Sequence, residues 1–254
     1  MEDTGKNIGD ILGLAPYGES LKIVTKGGVD GISKFLDITC RPLLEEFGLW
    51  ARDHFRVWRF KNLYNVLSKA EGKVTYEEGQ IMMVNPRLGY AIAENASLVE
   101  DDEIQEMWAG LFVSAITADG KDDSNLVFAN LLKQLTVVQA RILNFAFENC
   151  LKVKSNNNLI LGCKYCIEIN ILFEVCQTSD LDRIDRELDS LRSLGLIHNG
   201  LSFDSTIADV TLTPLAIHLI ARSKGIQSVN SSLNFISEEE YKAHPEYHKS
   251  LVFG

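Results

Sequence analysis

The chain has 254 residues, of which 46% are hydrophobic and 24% are charged, a composition typical of globular proteins that excludes fibrous and disordered classes. Its formal net charge of −10 disfavours a general affinity for nucleic acid or anionic lipid, because both carry negative charge. Five cysteines, an acidic polar amino terminus and no apolar run of about 20 residues predict a reduced, cytoplasmic protein without a signal peptide or transmembrane segment.

Residues 1–40 are rich in glycine, which predicts short amino-terminal helices rather than a single long one. Two pairs of glycines lie four residues apart, Gly9 with Gly13 and Gly27 with Gly31. Such small-residue spacings permit close helix–helix or membrane contact. Packing of short helices on the body of the protein explains the same glycines, so membrane contact is kept as an alternative interpretation.

Residues 41–135 predict a helical body. One long central helix is expected from Pro42 to about Gly72, because proline suits the first turn of a helix and glycine suits its end. Asn85 and Pro86 predict the start of the next helix, as its cap and its first helical residue.

The clearest helical pattern follows four consecutive acidic residues, 100–103, whose charges suit a helix amino terminus. A polar turn at 119–123 ends this helix, and residues 126–135 predict a further amphipathic helix. Apolar side chains within the pattern recur at the spacing of one helical face, at Ile104, Met107, Trp108, Leu111, Phe112 and Ala115.

A second domain is predicted over residues 136–225. Its first helix is expected to begin at Thr136, which has capping-box spacing to Gln139. A polar loop is expected afterwards at 154–158, followed by a helical stretch over about 164–176.

Ser179 is expected to cap a long helix that ends at Gly195. An Asn-Gly hairpin turn is predicted at His198-Asn199-Gly200, and Thr213-Pro214 opens a closing helix. The order helix, helix, long helix, hairpin, helix is that of a winged helix. The predicted fold is therefore mainly α, with a helical body followed by a winged-helix-like α/β segment, while residues 226–254 form a linker and a peripheral helix.

Five stretches carry a family resemblance: residues 55–62 (FRVWRFKN), 101–111 (DDEIQEMWAGL), 131–136 (LLKQLT), 191–197 (LRSLGLI) and 212–214 (LTP). Together they resemble the Abi-alpha (abortive infection alpha) family of bacteria. The Glu-Met-Trp-Ala stretch with its acidic lead is the most specific part. The resemblance implies a bacterial or prophage-encoded protein linked to phage exclusion. It brings no agreed catalytic residues, so none transfers to this sequence.

Cys163 and Cys166 form a lone C-x-x-C motif. A structural zinc site needs four ligands, and the other cysteines and histidines lack the spacing to complete one. A redox pair would need a thioredoxin-like pattern around it, so buried thiols are expected instead. No P-loop, G-x-S-x-G or H-E-x-x-H motif occurs. The chain is therefore predicted not to be an enzyme and to use no metal, cofactor or small-molecule substrate.

Two segments of opposite net charge bear on whether the chain binds nucleic acid. In a DNA-binding winged helix the helix predicted at 180–194 would enter the major groove, but it carries five acidic and three basic residues. The basic stretch, residues 52–73, has six basic and two acidic residues interleaved with aromatic residues, which is typical of a stacking surface. Core packing with a solvated basic edge explains the same composition. The candidate nucleic-acid or phosphate contacts are Arg52, Arg56, Arg59 and Lys61.

Three functional hypotheses follow. The leading one is a non-enzymatic interaction or scaffold protein in anti-phage defence, with a protein partner or a second copy of the chain as its ligand. The second is a nucleic-acid-binding winged-helix regulator acting through the basic stretch, although the net charge disfavours it. The third is a membrane-acting effector using the amino-terminal segment.

Overall fold

A computed structural model describes residues 35–40, 54–74, 81–202, 204 and 206–243. Within these residues the chain is mainly α-helical, with small sheets, as the sequence predicts. The chain divides into two compact units: Met1–Lys133 with Ser223–Gly225, and Gln134–Arg222 with Ile226–Gly254. The amino-terminal helices predicted before residue 35 lie outside the described residues, and a short helical segment covers 35–39.

The first unit is built from helices with one two-stranded sheet. Strands β1 and β2 pair antiparallel, with Met83 opposite Thr117 and Val84 opposite Ile116. In chain order its elements are α1 (His54–Lys73), β1 (Met83–Val84), α2 (Pro86–Ala96), α3 (Asp102–Ser114), β2 (Ile116–Thr117) and α4 (Leu126–Leu132).

The long helix predicted from Pro42 is described from His54 onward, and its earlier residues lie outside the described part. Helix α1 packs mainly against α3, and α2 packs against α3 and α4. The Phe112 ring of α3 lies 5.5 Å from the ring of Phe35, centroid to centroid. The core therefore forms around α3, which contributes Trp108 and Phe112 to the largest buried side chains, while α1 and α2 contribute Leu63, Leu67, Leu88 and Ile92.

The predicted start of α2 is confirmed. The Asn85 side chain accepts hydrogen bonds from the backbone N–H groups of Arg87 and Leu88, and Pro86 occupies the first turn. At α3 the Asp101 carboxylate accepts from the N–H groups of Glu103 and Ile104, at 3.0 and 3.1 Å. Both helices begin where a side chain replaces the backbone acceptor that a first turn lacks.

The second unit combines helices with two small sheets. One sheet has the strand order β4–β3–β7, and the other pairs β5 with β6 antiparallel. In chain order the elements are α5 (Val137–Asn149), β3 (Lys152–Lys154), β4 (Ile160–Gly162), β5 (Cys166–Glu168), α6 (Ile169–Cys176), α7 (Leu181–Ser193), β6 (Ile207–Asp209), α8 (Pro214–Ser223), α9 (Val229–Ser232), β7 (Ile236–Ser237) and α10 (Glu238–Ala243).

The predicted caps of the second unit are largely confirmed. Thr136 and Gln139 form a complete capping box at α5. Helix α7 is capped by Asp180, one residue after the predicted Ser179, because the Asp180 carboxylate accepts from the Arg183 N–H at 3.0 Å. Gly195 follows α7 in the left-handed region at φ +69°, which explains why glycine ends this helix.

The prediction for residues 154–176 is wrong in part. The polar loop at 154–158 is the tip of a hairpin, in which β3 pairs antiparallel with β4. The helix expected from about residue 164 starts at Ile169, after β5. Burial alternates along β4, where Ile160 is buried and Leu161 is exposed. This period of two is the strand pattern, and it is too short to stand out from the polar residues around it.

The predicted hairpin turn at His198-Asn199-Gly200 is also wrong. Ile197 pairs with Leu212 and Leu201 pairs with Ala208, so the chain reverses between residues 202 and 207. At this reversal the Asp204 carboxylate accepts from the Ser202 hydroxyl at 2.6 Å and from the Thr206 N–H at 3.2 Å. Side chains that hydrogen-bond their neighbours therefore form the turn, while Asn199 and Gly200 lie between the bridged residues Ile197 and Leu201.

Candidate interaction surfaces

Cations of the basic stretch make hydrogen bonds and ion pairs with other residues of the first unit. Arg59 is half-buried: its Nε donates to Ser97 Oγ at 2.8 Å and its Nη2 donates to the Glu94 carbonyl at 3.2 Å. The guanidinium therefore binds the carboxyl end of α2, where helix carbonyls lack partners. Lys61 is exposed on α1. Arg52 and the side chain of Arg56 lie outside the described residues.

Acidic residues near the start of α3 pair with the rest of the basic stretch. Lys69 contacts the Asp102 carboxylate, and Lys73 Nζ lies 2.9 Å from Glu106 Oε2. The Trp58 indole N–H donates to Glu100. The acidic run interpreted from the sequence as helix-cap charge thus also offsets the cations of α1. Such pairs reduce the positive field that a polyanion would meet.

Helix α7 exposes acidic and basic side chains together. Its apolar side chains Ile184, Leu188 and Leu191 are buried, whereas three aspartates and three arginines are exposed: Asp182, Asp185, Asp189, Arg183, Arg186 and Arg192. With its cap Asp180 and the half-buried Glu187, the segment 180–194 has five acidic and three basic residues, a net charge of −2. No lysine or arginine occurs between residues 193 and 213, and the reversal in that segment carries the exposed Asp204. Neither segment therefore has an excess of cations.

A groove of about 980 Å³ opens in the second unit. Its walls come from the end of α5 and from the segments 163–166 and 199–202, together with β6 and α10. Leu151 and Ile207 are exposed within it and supply apolar surface, and Tyr165 and Tyr241 supply aromatic rings. Its volume is in the range of small-molecule and peptide sites. This groove could not be predicted from the sequence, because the residues that line it are separated by up to about ninety positions along the chain.

The sequence model of the family described as abortive infection alpha matches residues 60–218, more than half of the chain. The chain belongs to the abortive infection alpha family. No curated protein and no solved structure is significantly similar to it.

The matched span of the abortive infection alpha family runs from α1 into α8 and so includes parts of both units. It covers α7 and every groove residue except Tyr241. Among the four candidate nucleic-acid contacts it includes Lys61, while Arg52, Arg56 and Arg59 precede it. The family resemblance noted in the sequence is thereby confirmed.

The groove of this abortive infection alpha protein holds two cysteines that differ in burial. Cys163 is buried and Cys166 is exposed. Burial raises the pKa of the Cys163 thiol to about 11, with a smaller contribution from neighbouring Cys150. The Cys163 thiol therefore stays protonated near neutral pH, which makes it a poor nucleophile and a poor metal ligand. Among the described residues, no histidine lines the groove.

Asp209 lines the groove, and both oxygens of its carboxylate accept hydrogen bonds from within the protein. Asp209 Oδ2 accepts from Asn199 Nδ2 at 2.9 Å, and Asp209 Oδ1 accepts from the Thr211 N–H at 3.0 Å. In the described part of the chain, no group of three His, Cys, Asp or Glu side chains could hold a metal ion. The described helices include none long and apolar enough to cross a bilayer. The groove thus combines apolar surface with hydrogen-bonding groups.

Proposed function

We propose that the chain is a non-enzymatic interaction protein in anti-phage defence by abortive infection, whose second unit is a winged-helix-like module that binds protein. Membership of the abortive infection alpha family supplies the defence setting. The net charge of −2 on the segment 180–194, which is α7 with its cap, is the observation that carries the choice of protein over nucleic acid as the partner.

The element order supports the winged-helix interpretation. After α5 come β5, α6 and α7, then the segment 197–202, β6 and finally α8. Strand β5 pairs with β6, and Leu201 makes an isolated bridge to Ala208 of β6. This is the order of a winged helix with the β3–β4 hairpin inserted after its first helix.

The charge distribution of this module argues for a protein partner. In a DNA-binding winged helix, the helix before the wing enters the major groove and its cations meet phosphates. Here the segment 180–194 carries five acidic and three basic residues, so it has no excess of cations, and the reversal between residues 202 and 207 carries the exposed Asp204. Phosphates would therefore gain no net attraction from either element, whereas a protein surface with cationic groups would be attracted.

Phage challenge tests the defence role. Cells that express the chain should give fewer plaques than cells with an empty vector for at least some phages in a broad panel, because infected cells would stop growing before phage release. Equal plaque counts across the panel would contradict the proposal.

A retention assay on DNA and RNA at low salt tests the choice of partner. We expect no salt-dependent retention of either polymer, because the segment 180–194 has no excess of cations to contact phosphates. Retention that is lost in a Lys61→Glu variant would instead favour the nucleic-acid-binding hypothesis, since Lys61 is the exposed candidate cation on α1. Asp182→Asn, which removes one charge from α7, serves as the control at a similarly exposed position.

A further inference from the structure

Strand β4 is the outer strand of the sheet β4–β3–β7. It pairs with β3 in antiparallel register, with Val153 opposite Leu161. Beyond the two ends of this pairing, the Ser155 N–H donates to the Leu159 carbonyl and the Cys163 N–H donates to the Leu151 carbonyl, both at 2.9 Å. In antiparallel pairs the residues that bond across the ladder alternate. Residues 159, 161 and 163 thus direct their backbone groups toward β3.

The same alternation turns the backbone N–H and C=O groups of Ile160 and Gly162 away from β3. No hydrogen bond joins these outward groups to another residue in the described part of the chain. An outer strand with such groups is a template for pairing with a further strand. We call the segment 159–163 the β4 edge.

Natural proteins protect sheet edges with charged side chains, proline or bulges. The β4 edge has none of these: the segment from Ser155 to Cys163 contains no charged residue and no proline. Its leucines are also exposed, Leu159 by 63% and Leu161 by 47%. Leu159 is one of the most exposed large apolar side chains in the described part of the chain.

We propose that the β4 edge is a self-association site, at which two copies of the chain pair their β4 strands antiparallel about a two-fold axis through Leu161. In this register Ile160 of each copy faces Gly162 of the other, so the outward backbone groups exchange hydrogen bonds. Leu161 then faces its own counterpart at a position where cross-strand side chains are close. The two three-stranded sheets would join into one of six strands.

Charge favours a second copy at this position. Each copy has a net charge of −10, so two copies repel over most of their surfaces. The β4 edge is uncharged, and the proposed register places Lys164 opposite Asn158 rather than opposite another charge. A two-fold interface needs the same patch to fit itself, and the paired leucines meet this requirement.

The interface is small, so the dimer should be weak, with a Kd on the order of micromolar or above. Sedimentation or light scattering on the purified full chain, from about 1 μM to about 1 mM, should show a concentration-dependent dimer. Leu161→Lys should raise its Kd by about ten-fold or more, because it removes an apolar pair and places two like charges face to face. Leu161→Glu should do the same.

The matched control is Ile171→Lys, which introduces the same charge at a side chain of α6 that is 40% exposed, and should leave the dimer unchanged. Mixing the Leu161→Lys and Leu161→Glu variants should restore a dimer, because residue 161 of each copy would face the opposite charge. Circular dichroism checks that each variant is folded.

A wild-type chain that stays monomeric at the highest concentration would overturn the proposal. So would a dimer that persists in Leu161→Lys, or a mixture of the two folded variants that fails to dimerise. The inference rests on the proposed function in assigning protein binding to the second unit. Because the dimer is measured without phage or host components, its failure is distinguishable from a failure of the phage challenge.

Discussion

The two units differ in how they use their charged side chains. In the first unit, cations of α1 meet acidic residues near the start of α3, as in the pairs Lys69–Asp102 and Lys73–Glu106. In the second unit, α7 buries Ile184, Leu188 and Leu191, and its aspartates and arginines both face solvent. The cations of α1 are thus offset by another helix, whereas charges of α7 are offset along the same helix, as in the pairs Arg183–Glu187 and Arg192–Asp189.

Within each unit, one close backbone contact depends on a glycine. In the first unit Gly110 of α3 lies against the backbone of Ser223. In the second unit a glycine of β4 lies against the Leu212 carbonyl. Substitution of these glycines compares the tolerance of a helical contact with that of a strand contact.

The largest effect is expected from Gly110→Ala. A Cβ at this position would lie 1.8 Å from the Ser223 carbonyl oxygen, so backbone would have to move within the first unit. We expect a loss of about 3 kcal/mol or more in the free energy of unfolding, measured by urea denaturation. Gly72→Ala is the control: nothing lies within 4 Å of its Cβ, so this helical position should become slightly more stable. Equal stability of the two variants would contradict the close contact.

Gly162→Ala should have a smaller effect, because the added Cβ would lie 2.5 Å from the Leu212 carbonyl oxygen. A loss of about 2 kcal/mol is expected in the same measurement. Gly200→Ala, whose Cβ would make an ordinary 3.7 Å contact with Leu188, provides the comparison within the second unit. If Gly162→Ala proved more damaging than Gly110→Ala, the strand contact would be the more rigid one.

Sequence reasoning succeeded where the cause of a structure is local. The caps at Asn85 and Thr136 could be predicted because each depends on residues within three positions along the chain. The turn predicted at Asn199-Gly200 is wrong for the opposite reason. Asn199 Nδ2 donates a hydrogen bond to Asp209 Oδ2, ten residues away, and this non-local contact overrides the local preference for a hairpin turn.

The same limit applies to the candidate sites. The composition of the basic stretch was visible, but the acceptors of Arg59 lie 35 and 38 residues further along the chain. The sheet β4–β3–β7 joins β3 to a strand more than eighty residues later, so the position of β4 at its edge could not be read from spacing. The uncharged, mostly apolar run at residues 159–163 is the sequence feature that could have indicated the proposed edge.

Loss of a helix cap should have an intermediate effect in the second unit. The Thr136 hydroxyl accepts from the Gln139 N–H at 3.2 Å and donates to Glu187 Oε2 at 2.9 Å. Thr136→Ala removes both hydrogen bonds and should cost about 1 kcal/mol in urea denaturation. Thr136→Ser keeps the hydroxyl and should retain most of this stability. Equal losses in the two variants would assign the effect to the methyl group instead.

The smallest effect is expected from the ion pairs of the first unit. Lys73 and Glu106 are both more than one-third exposed, so solvent screens their attraction. Lys73→Ala should lower the free energy of unfolding by about 0.5 kcal/mol at low salt and by less at high salt. In a Glu106→Gln background the same substitution should cost less, which a double-mutant cycle measures. A coupling near zero at low salt would mean that the pairing of α1 with α3 lowers the positive field of the basic stretch without adding stability. That result would separate the two roles that charge has in the first unit.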